Sequence, residues 1–320
     1  MGEGNGTLPT VGFVRERGEP DSPLVAALLE DLARHGWRAR ALEQAPIVGR
    51  RLDVLHVPSA GLAREWVGVA RRLGARTVVS LRGDEAGAVE PSAWTGADAL
   101  HVDSERLAAL VRNGSRGPHT PVVIEPAADA ALLGEEPLAP PAGAPLRILS
   151  VGALSWTQGY EFALAAVAML AERGVPCEYR IVGAGPHQDA VAFARHQLGL
   201  DGRVELAGRA NREEVRSHLR WASVLVDVPV LAPSSQTLLD AQAAGVAVVT
   251  TQPLDRDAVG ALLVPARDPE ALCETLARLA ADADLRTGLV RAGRARALAA
   301  PTPEAQGARW RELYRKLAAA

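Results

Sequence analysis

Short runs of β-branched and aliphatic residues alternate along the chain with longer segments in which Ala and Leu recur every three or four positions. This alternation is typical of strand-helix units that build a parallel sheet covered by helices on both faces. In the first half the pattern predicts strands at residues 10–14, 53–57, 77–80, 99–102 and 122–124. In the second half it predicts strands at residues 147–151, 179–182, 204–206, 224–228, 246–250 and 262–264. The pattern therefore predicts an α/β protein with doubly wound parallel sheets.

Residues suited to capping mark several predicted helix starts. They are Ser22 before Pro23, Asn211 with Glu214 three residues later, and Asp268 before Pro269 and Glu270. Capping explains these polar residues before any functional role is needed. The last periodic segment, residues 304–317, places Trp310, Leu313, Tyr314 and Leu317 at spacings of three and four, which predicts a helix with one apolar face.

Length and a proline-rich segment predict two domains. A chain of 320 residues is long for one domain, since domains average about 150 residues. Residues 134–145, GEEPLAPPAGAP, contain four prolines and can neither pair in a sheet nor continue a helix. We predict a first domain at residues 1–135, a second at residues 146–300 and a separate C-terminal helix at residues 301–320.

Composition and charge exclude several classes of protein. Apolar residues make up 48% and charged residues 23%, as in ordinary globular proteins. The net charge of -3, from 35 basic and 38 acidic residues, argues against nucleic acid as the partner. The longest uncharged stretch, residues 241–254, is shorter than a membrane span, and residues 1–9 lack the pattern of a signal peptide. We therefore expect no membrane span and a cytoplasmic protein.

Cysteine and histidine usage predicts no metal site. Cys177 and Cys273 are the only cysteines and are expected to be buried thiols rather than a disulfide or a ligand pair. The seven histidines show no pair spaced three or four apart on a predicted helix, which is the spacing of a helical zinc site. We expect no metal and no resident cofactor.

Two glycine-containing turns are candidates for binding phosphate. Residues 148–170 form a predicted strand, a turn with Gly152 and Gly159, and a helix. Such a turn is either a generic strand-helix connection or a phosphate site built from backbone N–H groups. The second turn, IVGAGPHQD at residues 181–189, contains Gly183 and Gly185. It lacks the third glycine and the later acidic residue of a dinucleotide fingerprint, which argues against a nicotinamide dehydrogenase.

Polar residues at the carboxyl ends of predicted strands are candidates for catalysis. His56 and His101 stand at or near such ends in the first domain, where each either faces a ligand cleft or forms a local hydrogen bond. Arg82, Asp84 and Glu85 follow another strand and either reach the same cleft or form a solvated loop. Ligands bind at the carboxyl ends of strands in doubly wound sheets.

Asp240 is the most informative polar residue in the second half. It lies within a predicted helix of small and apolar residues, after a Pro-containing loop and a cap at Ser234 or Ser235. An unpaired buried carboxylate is unfavourable, so Asp240 needs a partner. The hydroxyl group of a ligand would serve.

From about Ile148 to its C-terminus, the chain resembles the nucleotide-binding half of retaining GT-B-fold glycosyltransferases of the large bacterial family four. The resemblance lies in LSVGALSWTQGYEFALAAVAML, YRIVGAGP, LGLDGRVELAGRANREEV, LLDAQAAGVAVVTT and LVPARDPEAL. LRGDE, GADALHVDSERL and VVIEPAAD extend it more weakly into the first half. The resemblance implies two Rossmann-like domains facing each other across a cleft, with the C-terminal helix returning to the first domain.

The charges that the family uses are largely replaced in this chain. The resemblance implies an Arg and a Lys on the donor diphosphate, where this sequence has Ala153 and Gln158. It also implies two glutamates eight positions apart, one for the donor sugar and one for the ribose. Asp240 matches the second, and residues 228–236 contain no acid to match the first. The donor-site motif is therefore degenerate.

Two functions remain open. The first is a retaining glycosyltransferase that moves a sugar from a nucleotide-sugar donor to a small-molecule or glycan acceptor. The second is a catalytically degenerate GT-B pseudoenzyme that acts as a binding or auxiliary partner, for which a protein partner is one possibility. The predicted donor pocket comprises Gly152, Ala153, Gln158, Gly183, Gly208, Arg209 and Asp240. The predicted catalytic residues are His101 and Arg82.

Overall fold

A computed structural model describes residues 8–15, 22–43, 51–81, 91–114, 120–134, 143–230, 235–251 and 260–320. The chain divides into two compact units. The first comprises Met1–Glu125 and Pro303–Ala320, and the second comprises Pro126–Thr302. The predicted first domain extends to residue 135, whereas residues 126–134 pack with the second unit because Ala128 and Leu132 lie in its apolar core.

The first unit contains six parallel strands. They are β1 (Thr10–Val14), β2 (Arg38–Leu42), β3 (Val54–Val57), β4 (Arg76–Leu81), β5 (Ala99–Val102) and β6 (Val122–Val123). The strand order is β2-β1-β3-β4-β5-β6. The sequence pattern did not predict β2, because Arg38 and Arg40 alternate with small residues at this edge.

Helices cover both faces of this sheet. They are α1 (Pro23–Arg34), α2 (Ala60–Arg72), α3 (Glu105–Gly114) and α11 (Pro303–Ala319). Residues of α2 and α3 join one apolar cluster, and residues of α1 and α11 join the other. The apolar face of α11 is buried there, with Trp310 and Tyr314 fully enclosed. The C-terminal helix therefore belongs to the fold of the first unit.

The second unit also contains six parallel strands. They are β7 (Leu146–Val151), β8 (Cys177–Val182), β9 (Val204–Gly208), β10 (Val224–Asp227), β11 (Ala247–Thr250) and β12 (Ala261–Leu263). The strand order is β12-β11-β10-β7-β8-β9. Counted from β7, this is the order of a nucleotide-binding Rossmann sheet, in which the direction of strand addition reverses between the first and fourth strands.

Helices of the second unit lie on both faces of its sheet. They are α4 (Ala130–Leu133), α5 (Tyr160–Glu172), α6 (Gln188–Gln197), α7 (Arg212–Trp221), α8 (Ser235–Ala243), α9 (Pro269–Ala281) and α10 (Ala283–Ala299). Residues of α5, α6 and α9 form one core, and residues of α4, α7, α8 and α10 form the other. The predicted α/β class with two doubly wound sheets is confirmed.

Several local predictions are confirmed as well. Ser22 and Asp268 cap α1 and α9 through their side chains, and Asn211 with Glu214 forms a complete capping box on α7. Cys177 and Cys273 are buried free thiols. No helix among the described residues combines the length and apolarity that a bilayer crossing requires.

Candidate functional site

The turns that follow β7 and β8 are packed against each other at the carboxyl end of the second sheet. The backbone N–H of Gly152 donates to the carbonyl of Val182 at 3.0 Å, and that of Leu154 donates to Ala184 at 3.1 Å. The N–H of His187 returns to the carbonyl of Leu154 at 2.9 Å. These bonds continue the strand pairing into the turns and hold both turns in one arrangement.

Gly183 allows this close approach. Its φ of 147° disfavours L side chains, and a Cβ atom there would overlap the carbonyl oxygen of Gly152. The N–H of Gly183 donates to the carbonyl of Gly208 at 2.7 Å, which connects β8 to the end of β9. The glycines therefore form a continuous backbone surface across three neighbouring strand ends.

The ends of β7 and β10 meet where the strand order reverses. The N–H of Val230 donates to the carbonyl of Thr157 at 2.8 Å. Gly159 has a φ of 68°, and a Cβ atom there would overlap the carbonyl oxygen of Val228. Helices α5 and α8 follow β7 and β10 in sequence. A reversal of strand order of this kind is the usual ligand position in open α/β sheets.

Uncharged side chains occupy the turn after β7. Ala153 is exposed, and Gln158 is partly buried. A Cβ atom on Gly152 would lie 3.1 Å from Oε1 of Gln158 and 3.3 Å from the hydroxyl of Tyr160. Gln158 therefore lies over Gly152. Arg209 is exposed directly after Gly208.

Asp240 lies on α8 and is partly buried. Its Oδ1 accepts a hydrogen bond from Nε2 of Gln236 at 2.8 Å. Burial raises the pKa of Asp240 to about 7, and the negative charge of Asp129 acts in the same direction. The hydrogen bond from Gln236 and the charges of Arg212 and Arg216 oppose this shift. One glutamine amide thus supplies a protein partner for Oδ1 of the carboxylate.

Asp129 anchors the segment that leads into α4. It is 3% exposed and caps α4 through the N–H of Ala131 at 3.0 Å. Arg216 donates to it from Nε at 2.9 Å and from Nη2 at 3.1 Å, and Arg212 donates from Nε at 3.1 Å. Burial acts to raise the pKa of Asp129, but the bonds from Arg216 and the charge of Arg212 hold it below its ordinary value.

The described contacts bring the predicted donor residues into two groups. Gly152, Ala153, Gln158, Gly183, Gly208 and Arg209 belong to the connected strand ends. Asp240 lies in the second group, within the electrostatic influence of Asp129, Arg212 and Arg216, and no described contact joins it directly to the glycine turns. Their assignment to one donor pocket stays a prediction.

Sequence reasoning found Asp240 but missed the residues around it in the second group. Gln236 lies four residues before Asp240, which places both on one face of α8. Arg212 and Arg216 have the same spacing on α7. This spacing was a usable signal, but nothing local showed that Asp129 is their common partner, because it lies more than eighty positions away.

The predicted catalytic residue His101 lies inside the first unit. It is 5% exposed. Its Nδ1 is 2.9 Å from the hydroxyl of Ser80, and its Nε2 is 3.1 Å from the carbonyl of Ile124. Burial lowers the pKa of His101 to about 4. Both ring nitrogens are used in the interior, so this geometry favours the hydrogen-bonded alternative over a ligand-facing role.

Of the other candidates in the first unit, the structure describes only His56, which resembles His101. His56 is buried between Ser80 and Tyr314, at 2.7 and 2.9 Å from their hydroxyls. Arg82, Asp84 and Glu85 lie outside the described residues, so the catalytic role of Arg82 stays a prediction.

One group of potential metal ligands occurs in the described part of the chain. It comprises Asp31, His35 and Glu304. Arg311 donates to Asp31 at 2.5 Å and to Glu304 at 2.8 Å. The guanidinium thus supplies the counter-charge that a metal ion would supply, and the geometry is that of an ion-pair network that attaches α11 to α1.

The glycine turns and Asp240 lie in the part of the chain that matches known proteins in sequence. Residues 145–282 match the family Glycosyl transferases group 1. The matched region includes every residue of the predicted donor pocket. It spans the second unit from the start of β7 to the end of α9.

Curated relatives match over a similar length. The chain is 32% identical over 145 residues to WcaL of Escherichia coli K12, which is named as a colanic acid biosynthesis glycosyltransferase. It is 30% identical over 146 residues to the amylovoran biosynthesis glycosyltransferase AmsK of Erwinia amylovora. Each match covers 42% of this chain and 36% of the relative's own length.

Solved structures match nearly the whole chain in fold. Sucrose-phosphate synthase of Thermosynechococcus elongatus has a TM-score of 0.79 at 20% identity, over 97% of this chain and 99% of that one. Anabaena HepE, solved with UDP-glucose, has a TM-score of 0.77 at 13% identity, over 96% of this chain and 100% of that one. The fold is therefore of the GT-B type.

Proposed function

We propose that this protein is a glycosyltransferase that uses a nucleotide sugar as donor and retains the configuration of the transferred sugar. The observation that carries the proposal is the set of glycine-packed strand ends at the reversal point of a Rossmann-ordered sheet, inside the region that matches Glycosyl transferases group 1. HepE, solved with UDP-glucose, supplies a structural parallel.

In the proposed reaction the bond between the anomeric carbon and the donor's phosphate oxygen breaks. A new bond forms between the anomeric carbon and a hydroxyl oxygen of the acceptor, the proton of that hydroxyl passes to the departing phosphate oxygen, and the nucleoside diphosphate leaves. Backbone N–H groups of the turn after β7 and the start of α5 would hold the diphosphate. Asp240 would accept hydrogen bonds from the ribose hydroxyls.

The missing side-chain cations decide how active such a site is. One preorganised donor to a developing negative charge contributes about 2.7 to 4 kcal/mol in the transition state. Ala153 and Gln158 supply no charge, so the proposal requires backbone groups and arginines such as Arg209 to stabilise the leaving diphosphate. No metal is expected in this role.

A second candidate is favoured by the same two residues. A GT-B protein whose turn carries Ala153 and Gln158 could bind a ligand or a protein partner without transferring a sugar. This pseudoenzyme function predicts nucleoside binding without strong binding of the diphosphate.

A panel of nucleoside diphosphates and nucleotide sugars tests the proposal. We expect the nucleotides of one base to raise the melting temperature of the protein, because a ligand that binds only the folded state stabilises it. Asp240→Asn should abolish that shift, and Gln306→Met in the first unit is a control that should retain it.

Chemical transfer is followed separately, by NMR detection of the anomeric proton in the product. A retained configuration with a suitable acceptor supports the enzyme. A thermal shift without turnover supports the pseudoenzyme. Absence of any shift across the panel would contradict both the transferase and a pseudoenzyme that binds nucleosides.

A further inference from the structure

Gln236 connects the backbone before α4 to the carboxylate of Asp240. Its Nε2 donates to Oδ1 of Asp240 at 2.8 Å and to the carbonyl oxygen of Ala127 at 3.0 Å. A primary amide carries two hydrogens on its nitrogen. Both hydrogens are therefore engaged, and the amide cannot rotate without losing one bond.

The carbonyl of Ala127 is a fixed anchor for this amide. The next residue, Ala128, donates from its N–H to the carbonyl of Pro301 at 3.3 Å. One residue further, Asp129 is held by two bonds from Arg216. Gln236 thus transmits the position of a well-fixed backbone segment to Asp240.

This arrangement uses only part of the carboxylate. Oδ1 of Asp240 accepts the bond from Gln236, whereas Oδ2 accepts none from the described residues. An ionised carboxylate has about four acceptor positions. One oxygen is used for orientation, and the other remains for a ligand that donates hydrogen bonds.

The charges around Asp240 come from three elements. Asp129 at the start of α4 disfavours its ionised form, and Arg212 and Arg216 of α7 favour it. Gln236 on α8 also favours the ionised form, against a burial that raises the pKa of Asp240 to about 7. Loss of the amide would therefore shift Asp240 further toward the neutral acid, which is a poorer acceptor.

We propose that Gln236 is the positioning residue of the nucleotide pocket, and that it orients Asp240 to recognise a vicinal diol such as the 2′- and 3′-hydroxyls of ribose. The proposal rests on the proposed function of the site. Gln236 itself does not contact the ligand in this assignment and acts through Asp240.

The test compares Gln236→Met, which keeps the length of the side chain but has no N–H donors, with the parent protein. Gln306→Met is the matched control, because Nε2 of Gln306 also donates to a backbone carbonyl, that of Glu125 at 2.8 Å, in the first unit. The probes are UDP and GDP, each paired with its 2′,3′-dideoxy analogue and with inorganic pyrophosphate.

For the base that the parent binds, we expect the diphosphate to bind at least tenfold more tightly than its dideoxy analogue. Gln236→Met should reduce this ratio to less than threefold and leave pyrophosphate binding unchanged. Gln306→Met should keep the parent ratio. A Gln236→Met protein with the parent ratio would overturn the proposal.

A second measurement needs no nucleotide. Carboxyl-carbon NMR of the ligand-free protein, with the Asp240 signal assigned through Asp240→Asn, follows the titration of Asp240. Gln236→Met should raise the midpoint by at least half a pH unit, and an unchanged midpoint would contradict positioning by the amide. If the midpoint moves but the parent binds none of the nucleotides in the panel that tests the proposed function, that function fails and the diol assignment fails with it, while the coupling of Gln236 to Asp240 stands.

Discussion

The two units each contain a buried polar network, and the networks differ in how completely their hydrogen bonds are satisfied. In the first unit, the carbonyl of Ile124 can only accept, so Nε2 of His101 carries the hydrogen and Nδ1 accepts from Ser80. Ser80 then accepts from Nε2 of His56, whose Nδ1 accepts from the hydroxyl of Tyr314. In this network every hydrogen therefore has one donor atom and one acceptor atom.

In the second unit, the network around Asp240 is incomplete. Asp129 is satisfied by Arg212, Arg216 and the N–H of Ala131, whereas Asp240 has one described bond, from Gln236. A closed network specifies packing, because any change leaves a buried group unpaired. An open one is less stable than it could be and retains an acceptor for a ligand, which is typical of binding sites.

The networks also respond to pH with opposite signs. Burial lowers the pKa values of His56 and His101, so acid favours the unfolded first unit. Burial raises the pKa of Asp240, so acid relieves the unfavourable carboxylate in the second unit. As the pH rises from 4 to 7, burial of these groups therefore stabilises the first unit and destabilises the second.

Trp310→Ala should have the largest effect, because it removes the ring that packs on the two histidines of the closed network. Trp310 is fully buried and packs against His56 and His101, with ring centroids at 4.9 and 4.4 Å. Truncation of a buried Trp costs about 3 to 5 kcal/mol. Urea unfolding should show this loss, and hydrogen exchange should locate it in the first unit.

Trp156→Ala is the matched control for this change, because Trp156 is 55% exposed in the second unit. Its removal should change the free energy of unfolding by less than about 0.5 kcal/mol. Equal losses in both variants would contradict the structural role of the α11 face.

Acidification should have the second-largest effect, a loss of stability of the first unit. The unfolded histidine binds a proton below about pH 6.5, whereas folded His101 binds one only near pH 4. The stability from this residue is therefore complete above pH 6.5 and declines by roughly 3 kcal/mol as the pH falls to 4. His101→Gln should flatten this part of the pH profile of unfolding, and a profile as steep as that of the parent would show that other groups cause the acid sensitivity.

Asp240→Asn should stabilise the second unit at pH 8. Folded Asp240 has a pKa of about 7 against an ordinary value of 3.8, so its contribution to stability is lost as the pH rises between these values. The full shift corresponds to roughly 4 kcal/mol, and because the side chain is only partly buried we expect about 1 to 2 kcal/mol. The gain in urea unfolding should vanish at pH 4, and a variant less stable than the parent at pH 8 would indicate a structural carboxylate.

Sequence reasoning located almost all of the fold because the strands of both units are continuous apolar runs. β1 and β5 have the predicted bounds, and the others shift by a residue or two at their ends. β2 escaped because an edge strand with arginines has no such run. Local pattern thus predicts central strands better than edges.

The site was less accessible from sequence. Glycines at strand ends were identifiable, since close backbone packing requires them at fixed places. The partner of Asp240 was predicted to be a ligand, and the structure adds Gln236, which a search at four-residue spacing would have found. The hydrogen bonds of Arg212 and Arg216 to Asp129 join residues that are far apart in sequence. His101 was predicted to face a ligand because its burial depends on α11, a helix about two hundred positions later.

The smallest predicted effect tests whether the second unit has kept the shape of a diphosphate pocket and lost only its charge. The double change Ala153→Arg and Gln158→Lys places two cations on the turn after β7. Ala153 is exposed and Gln158 is partly buried, so the longer side chains do not enter the apolar core of the second unit. Two charge-assisted contacts should tighten nucleoside-diphosphate binding at least about tenfold, or roughly 1.4 kcal/mol.

Calorimetric titration with uridine, guanosine and thymidine diphosphates measures this gain, with the free nucleosides as controls. The nucleosides should bind almost equally to parent and variant, and the added affinity for diphosphates should weaken with salt. Micromolar binding by the parent would mean that other arginines already hold the diphosphate and would favour the active transferase. Failure of the variant to bind any diphosphate would mean that the backbone of the turn after β7 is itself closed to phosphate, and that the open network around Asp240 receives a ligand without one.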